Sequence, residues 1–278
     1  MFKLGLIGYP IAHSLSPWIH NRLLEEQGLK GDYQLFEIEP DQFDIRIKKL
    51  KEYDLDGFNV TVPYKERILN YLDEIDEAAE FLGAVNTVKV ENGKWVGYNT
   101  DGIGYLTSLI NRYPNVLKNA GKVLILGSGG AARGIYYTLL QKGVNQVDIS
   151  NRTVQKAEQI IKELDGGSFS TPLTIEEAEQ NIGQYDVVVQ TSSVGMSPEK
   201  DQSIIDFKHI KAGALFSDIV YRPMYTAFLE KADSLGANLH FGHEMLLHQA
   251  IYAFEIWTNS EPDASNIMTA FEGKLKGE

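Results

Sequence analysis

The chain is expected to fold as two α/β domains around a cleft, the second built on a doubly wound parallel sheet, and three observations lead to that class. Its 278 residues exceed one average domain. Strand-like and helix-like apolar patterns alternate along its length. Residues 122–153 read as a strand, a glycine-rich turn, a helix and a second strand, the sequence form of a dinucleotide-binding unit.

The first hundred residues open with a strand over 2–8, a helix from about Pro17 to Gln27, and a strand over 33–39. A helix follows with Phe43, Ile47 and Leu50 on one face. A strand over 57–62 leads to a helix opened by Pro63, and Asn92-Gly93 joins strands over 84–90 and 94–98 into a hairpin. From about Gly104 a helix leads to the glycine-rich unit, which continues through strands over 186–190, 215–220 and 237–241. Helical stretches over 244–258 and 264–274 are expected to pack back on the first domain. The expected domains are therefore 1–103 with 243–278, and 104–242.

In the glycine-rich unit, Lys122–Leu126 is the strand and Gly127-Ser128-Gly129-Gly130-Ala131-Ala132 the turn. Gly127 and Gly129 permit close backbone approach to a pyrophosphate, and small Ala132 lets the helix over 130–141 pack on the sheet. This makes the second domain Rossmann-type. After the next strand, 147–150, an enzyme using NAD would carry a carboxylate for the ribose 2′-hydroxyl; here stand Asn151, Arg152 and Thr153. A guanidinium with two neutral hydrogen-bonding side chains suits a 2′-phosphate, which favours NADP. Asp148 is read as a solvated strand residue and Thr153 as the N-cap of the next helix, a role compatible with phosphate binding.

Net charge of −12 argues against non-specific binding to nucleic acid or anionic membrane. With no cysteine, disulfides, thiolate metal sites and a cysteine nucleophile are excluded. No apolar run is long enough to cross a bilayer, and Met1–Gly8 reads as a strand rather than a secretory signal. A cytoplasmic location and a small-molecule partner are expected.

Four polar clusters fall at strand ends or turns, where open α/β sheets bind ligands. In Ser14-Leu15-Ser16-Pro17 the hydroxyls can hold a carboxylate, or Ser16 can cap the helix that Pro17 begins. Asn59 and Thr61 share one strand face, and Lys65 is expected in the first turn of the helix after Pro63. There the macrodipole would lower the lysine pKa and favour proton exchange. Asn86-Thr87 lies in the hairpin. Asp101, in Asn99-Thr100-Asp101-Gly102, caps the following helix or holds the Lys65 ammonium, a couple that needs no metal. His243 and His248 match a zinc-protease helix only superficially: five apart, they point about 140° from each other.

Gly8–Pro17, Asn59–Lys65, Gly83–Thr87, Gly97–Gly102, Gly127–Arg133, Asn151-Arg152-Thr153, Asp218–Pro223 and Gly242–Gln249 together resemble the shikimate dehydrogenase family in order and spacing. The resemblance implies NADPH-dependent, reversible reduction of 3-dehydroshikimate to shikimate in aromatic amino-acid biosynthesis. It implies a substrate-binding first domain and an NADP-binding second, in a monomer or homodimer. By position, Ser14, Ser16 and Tyr221 would meet the substrate carboxylate, and Asn59, Thr61, Asn86, Asp101 and Gln249 the ring and its hydroxyls. Lys65 and Asp101 would be the catalytic pair. Gly127, Ser128, Gly129, Gly130 and Ala131 would line the pyrophosphate loop, with Asn151, Arg152 and Thr153 at the 2′-phosphate and Met196, Ile219, Tyr221 and Gly242 flanking the nicotinamide. Gln190–Met196 departs from the Asn-Ala-Thr often found before Gly-Met in the family. The competing functions are a catabolic quinate/shikimate dehydrogenase and a non-catalytic NADP sensor.

Overall fold

Two six-stranded sheets organise the chain in the computed structural model, which describes residues 1–119 and 121–276. One compact unit comprises Met1–Thr100 with Gln249–Lys274, and the other is built on Asp101–His248.

In the first unit the elements run β1 (Phe2–Gly8), α1 (Ser16–Glu26), β2 (Gly31–Glu37), α2 (Phe43–Leu50), β3 (Gly57–Val60), β4 (Glu74–Ile75), α3 (Glu77–Leu82), β5 (Thr87–Glu91) and β6 (Lys94–Tyr98). The strand order is β2-β1-β3-β5-β6-β4, with β1 parallel to β2 and β3, and with β5 antiparallel to β3 and β6. Asn92 and Gly93 take φ of 52° and 77°, the pair of positive values that a two-residue type I′ hairpin needs. Successive residues of β1 serve opposite faces, as strand period dictates. Ile7 packs with Phe43, Ile47 and Leu50, whereas Leu4 and Leu6 pack with Ala253 and Trp257. Each such buried side chain contributes about 1.5–3 kcal/mol by leaving water.

The second unit continues with α4 (Asp101–Arg112), α5 (Val116–Asn119), β7 (Val123–Leu126), α6 (Gly130–Gln141), β8 (Val147–Ser150), α7 (Val154–Glu163), β9 (Pro172–Leu173), α8 (Ile175–Asn181), β10 (Val187–Gln190), β11 (Leu215–Asp218), α9 (Ala227–Ser234) and β12 (Asn238–His240). The chain ends through α10 (Gly242–Thr258) and α11 (Ala264–Lys276). All pairings in this sheet are parallel, in the order β12-β11-β10-β7-β8-β9. That is the doubly wound order, with its reversal point between β7 and β10. Strands buried on both faces need continuous apolar runs, and Val123–Leu126 and Val187–Val189 are such runs.

Three local expectations are corrected. No α-helix begins at Pro63: Lys65 lies in a turn and a 3-10 helix starts at Arg67. The Lys65 carbonyl accepts from Val85 N–H at 2.8 Å while Leu69 N–H turns to Glu66, so the ladder of an α-helix is not built there. The macrodipole argument for Lys65 therefore has no helix to act through. Ser16 is not an N-cap: α1 already includes it, Leu15 holds the cap position, and no side chain caps the helix. Asp148 is in its strand but buried, accepting from Gln146, Thr171 N–H and Tyr185 O–H. Thr153 does hold the N-cap position of α7, without a side-chain cap bond.

Candidate active site

The polar cluster of the first unit grows from the ends of β1 and β3, which lie side by side with Ile7 opposite Val60. Beyond them Tyr9 N–H donates to Val62 O at 3.0 Å and Thr61 N–H to Ile7 O at 2.9 Å, tying the two following turns together. Glu37 accepts from Ile11 N–H at 2.7 Å and Ala12 N–H at 3.2 Å, fixing the loop that carries Ser14. The Ser14 hydroxyl donates to Ser16 Oγ at 3.2 Å. Ser16 is buried at the first position of α1.

Tyr33 donates to Asn59 Oδ1 at 2.7 Å. The Asn59 amide gives its nitrogen to Asn86 O at 3.2 Å and Thr87 Oγ1 at 3.1 Å, so both of its N–H groups are engaged inside the unit. Asn86 donates to Thr100 Oγ1 at 2.9 Å and accepts from Thr100 N–H at 2.8 Å. Thr100 Oγ1 reaches the Gln249 carbonyl at 3.0 Å. One hydrogen-bonded network thus brings together Asn59, Asn86 and the backbone of Gln249, and a separate bond pairs Ser14 with Ser16. Thr61 and Lys65 are half-buried in the adjoining turn, and the Lys65 carbonyl bonds the residue preceding Asn86. Asp101 opens α4 and is only 4 % exposed, directly after the Thr100 that Asn86 anchors.

In the second unit the turn after β7 lies at the reversal point of the sheet. Gly127 has φ of 118°, and a Cβ there would stand 2.6 Å from Thr191 Oγ1, so only glycine fits. A Cβ on Gly129 would meet nothing within 4 Å, leaving open space beside the first backbone N–H groups of the twelve-residue α6. Ser128, Gly130 and Ala131 complete that turn and helix start. Beyond β8, the Asn151 amide donates to Thr153 O at 2.9 Å, and the Arg152 guanidinium is exposed, with no carboxylate partner among the described residues. The donor set fits a pyrophosphate at α6 and a second anionic group beside Arg152.

The loops after β10 and β11 are joined: Ser197 N–H donates to Arg222 O at 2.9 Å, and Gln190 donates to Val194 O at 3.0 Å and Asp218 Oδ1 at 3.2 Å. Gln190 also accepts from Ser192 N–H, so the residue that departs from the family pattern shapes its own loop. Asp218 further accepts from Val220 N–H at 2.8 Å and Thr226 Oγ1 at 2.7 Å. Burial, opposed by these hydrogen bonds, pushes its carboxyl up to about 7. Met196 and Ile219 stand on these loops with half-buried Tyr221, whose phenol burial also pushes up. Gly242 opens α10, where a Cβ would lie 2.4 Å from the Ile219 carbonyl oxygen. The described residues hold no cluster of three metal-ligating side chains.

Tyr33, Gln190 and Asp218 are the residues that sequence reasoning missed. A buried strand tyrosine needs a partner for its hydroxyl, and that requirement is the one signal that could have marked Tyr33.

Three family models match the chain: the shikimate dehydrogenase substrate binding domain over residues 6–88, shikimate / quinate 5-dehydrogenase over 112–219, and the shikimate 5'-dehydrogenase C-terminal domain over 242–270. A shikimate dehydrogenase (NADP(+)) of Oceanobacillus iheyensis is 49% identical over 277 residues, covering 99% of each chain. The Thermus thermophilus shikimate 5-dehydrogenase, solved in complex with NADP(H) and shikimate, matches with a TM-score of 0.85 at 32% identity, covering 95% of this chain and 96% of its own. A quinate dehydrogenase from Corynebacterium glutamicum, solved with NAD, matches with a TM-score of 0.89 at 28% identity, covering 98% and 99%.

Proposed function

This chain belongs to the shikimate dehydrogenase family, and from that premise we propose the reaction, its cofactor and the residues that carry it. It is an NADP-dependent oxidoreductase that reversibly reduces 3-dehydroshikimate to shikimate on the route to chorismate and the aromatic amino acids. The observation that carries this reading is the 49% identity to a shikimate dehydrogenase (NADP(+)) over essentially the whole chain. Arg152, past a strand end without a carboxylate, supports NADP over NAD.

NADPH, when bound, supplies the hydride that converts the C3 carbonyl carbon to an alcohol carbon. The protein's part is to hold the substrate and manage one proton. Ser14 and Ser16 donate hydroxyl hydrogens to the substrate carboxylate, with Tyr221 contributing beside them. Thr61, Asn86 and Gln249 bind ring hydroxyls, and Asn59 holds Asn86 in place. The Lys65 ammonium stabilises the negative charge that develops on the carbonyl oxygen and then gives that oxygen its proton. Asp101 accepts a hydrogen bond from the ammonium and orients it. In the oxidative direction Lys65 takes the hydroxyl proton back. The N-terminal N–H groups of α6, reached through Gly127, Ser128, Gly129, Gly130 and Ala131, receive the pyrophosphate. Asn151, Arg152 and Thr153 receive the 2′-phosphate. Met196, Ile219 and Gly242 border the nicotinamide.

The test is the absorbance at 340 nm of the purified protein with shikimate, run with NADP and NAD side by side and repeated with quinate. A steady rise, largest with shikimate and NADP, is expected. No rise with shikimate overturns the reading, and faster turnover of quinate with NAD replaces it with the catabolic activity.

A further inference from the structure

Tyr33 lies in β2 and is 4 % exposed, its ring stacked on His20 at 4.4 Å between centroids and 9° between planes, with Trp257 at 6.3 Å. His20 is fully buried, and burial pushes it down to about 3, so at neutral pH it is an uncharged slab against the phenol ring. Burial pushes the Tyr33 phenol well above its ordinary value, so the hydroxyl keeps its proton and remains a donor. That single hydrogen goes to Asn59 Oδ1 at 2.7 Å. The hydroxyl thus joins β2 to the middle of β3, past the β1 strand that lies between them. On the far side of β3 the Asn59 amide continues the link to Asn86 O and Thr87 Oγ1.

Resting on the reading under Proposed function, we propose that Tyr33 is a positioning residue for substrate recognition. Through Asn59 it holds the strand segment of Asn86 and Thr87 in place, so that the substrate's ring hydroxyls meet an Asn86 amide already positioned. Such preorganisation acts on binding, because ordering that is complete in the free protein is not charged against the complex. It acts on neither the hydride nor the proton step.

Tyr33→Phe removes one oxygen and keeps the ring stack. In the full-length enzyme KM for shikimate is expected to rise about 3- to 10-fold, the usual worth of one neutral hydrogen bond, with kcat within about twofold and KM for NADP unchanged. Asn59→Ala reads the same link from its other end and is expected to give the same split between KM and kcat. In an Asn59→Ala background the effect of Tyr33→Phe is expected to shrink, since what Tyr33 positions is gone. A lowered Tm with unchanged KM for shikimate marks a packing role and overturns the proposal. So does an equal rise in both KM values, or an effect that multiplies fully with Asn59→Ala. An active wild type with an unaltered Tyr33→Phe variant overturns this proposal alone, whereas a wild type inactive on shikimate overturns the functional reading beneath it.

Discussion

A buried carboxyl that faces hydroxyl, amide and backbone donors, but no cation, is harder to ionise in the folded protein than in the unfolded chain. Asp218 is such a group, 1 % exposed and held by Thr226, Val220 N–H and Gln190. Its folded value of about 7 stands above the ordinary 3.8, so between those values the folded state binds more protons than the unfolded one. Its contribution to stability is full below the unfolded value and is lost as pH rises through about 7. Asp218→Asn keeps a carbonyl acceptor and cannot ionise. In urea unfolding at a series of pH values, the wild type is expected to lose stability relative to Asp218→Asn as pH rises from 4 towards 7 and beyond. A difference between the two that does not vary with pH contradicts the assignment. The same three hydrogen bonds tie Asp218 to the loops that carry Met196 and Tyr221.

At the scale of elements, the β8 end and the α7 start are proposed to select between two cofactors that differ by one phosphate. Arg152→Ala is expected to raise KM for NADP about tenfold or more, the worth of a charge-assisted hydrogen bond, and to change KM for NAD far less. Steady-state kinetics with both cofactors measure it, and equal effects on both deny a 2′-phosphate contact. This strand–turn–helix unit was the most legible part of the sequence: α6 spans Gly130–Gln141 and β8 spans Val147–Ser150, as the pattern indicated. Its signals are local, since glycines, a following helix and an apolar strand lie within thirty residues. Contacts distant in sequence hid the rest. The turn at Lys65 depends on Val85, twenty residues on, and the two-residue β4 pairs with β6 through a register no periodicity announces. Asp148 looked solvated because a lone acid in a strand usually is, yet Tyr185 and Thr171 satisfy it inside the sheet. In the candidate site, the residue types were legible and the network was not. Tyr33 reads as one more strand aromatic until Asn59 is brought to it.

For the whole molecule, two sheets of different construction divide the work. The mixed sheet carries the serine, asparagine and threonine cluster, and the doubly wound sheet carries the glycine turn and Arg152. A net charge of −12 disfavours polyanionic partners, and no helix of the described residues is long and apolar enough to cross a membrane. Lys65 and Asp101 are proposed to act as one proton couple. Groups that act as a unit are strongly non-additive when removed. The most direct measurement is therefore kcat with shikimate and NADP for Lys65→Ala, Asp101→Asn and the double variant. Lys65→Ala is expected to lower kcat by about 10² to 10⁴, with KM for shikimate changed far less, and the double variant to fall no more than about twofold below the slower single one. Losses that multiply, or a Lys65→Ala variant within a few-fold of the wild type, would contradict a shared acid/base couple.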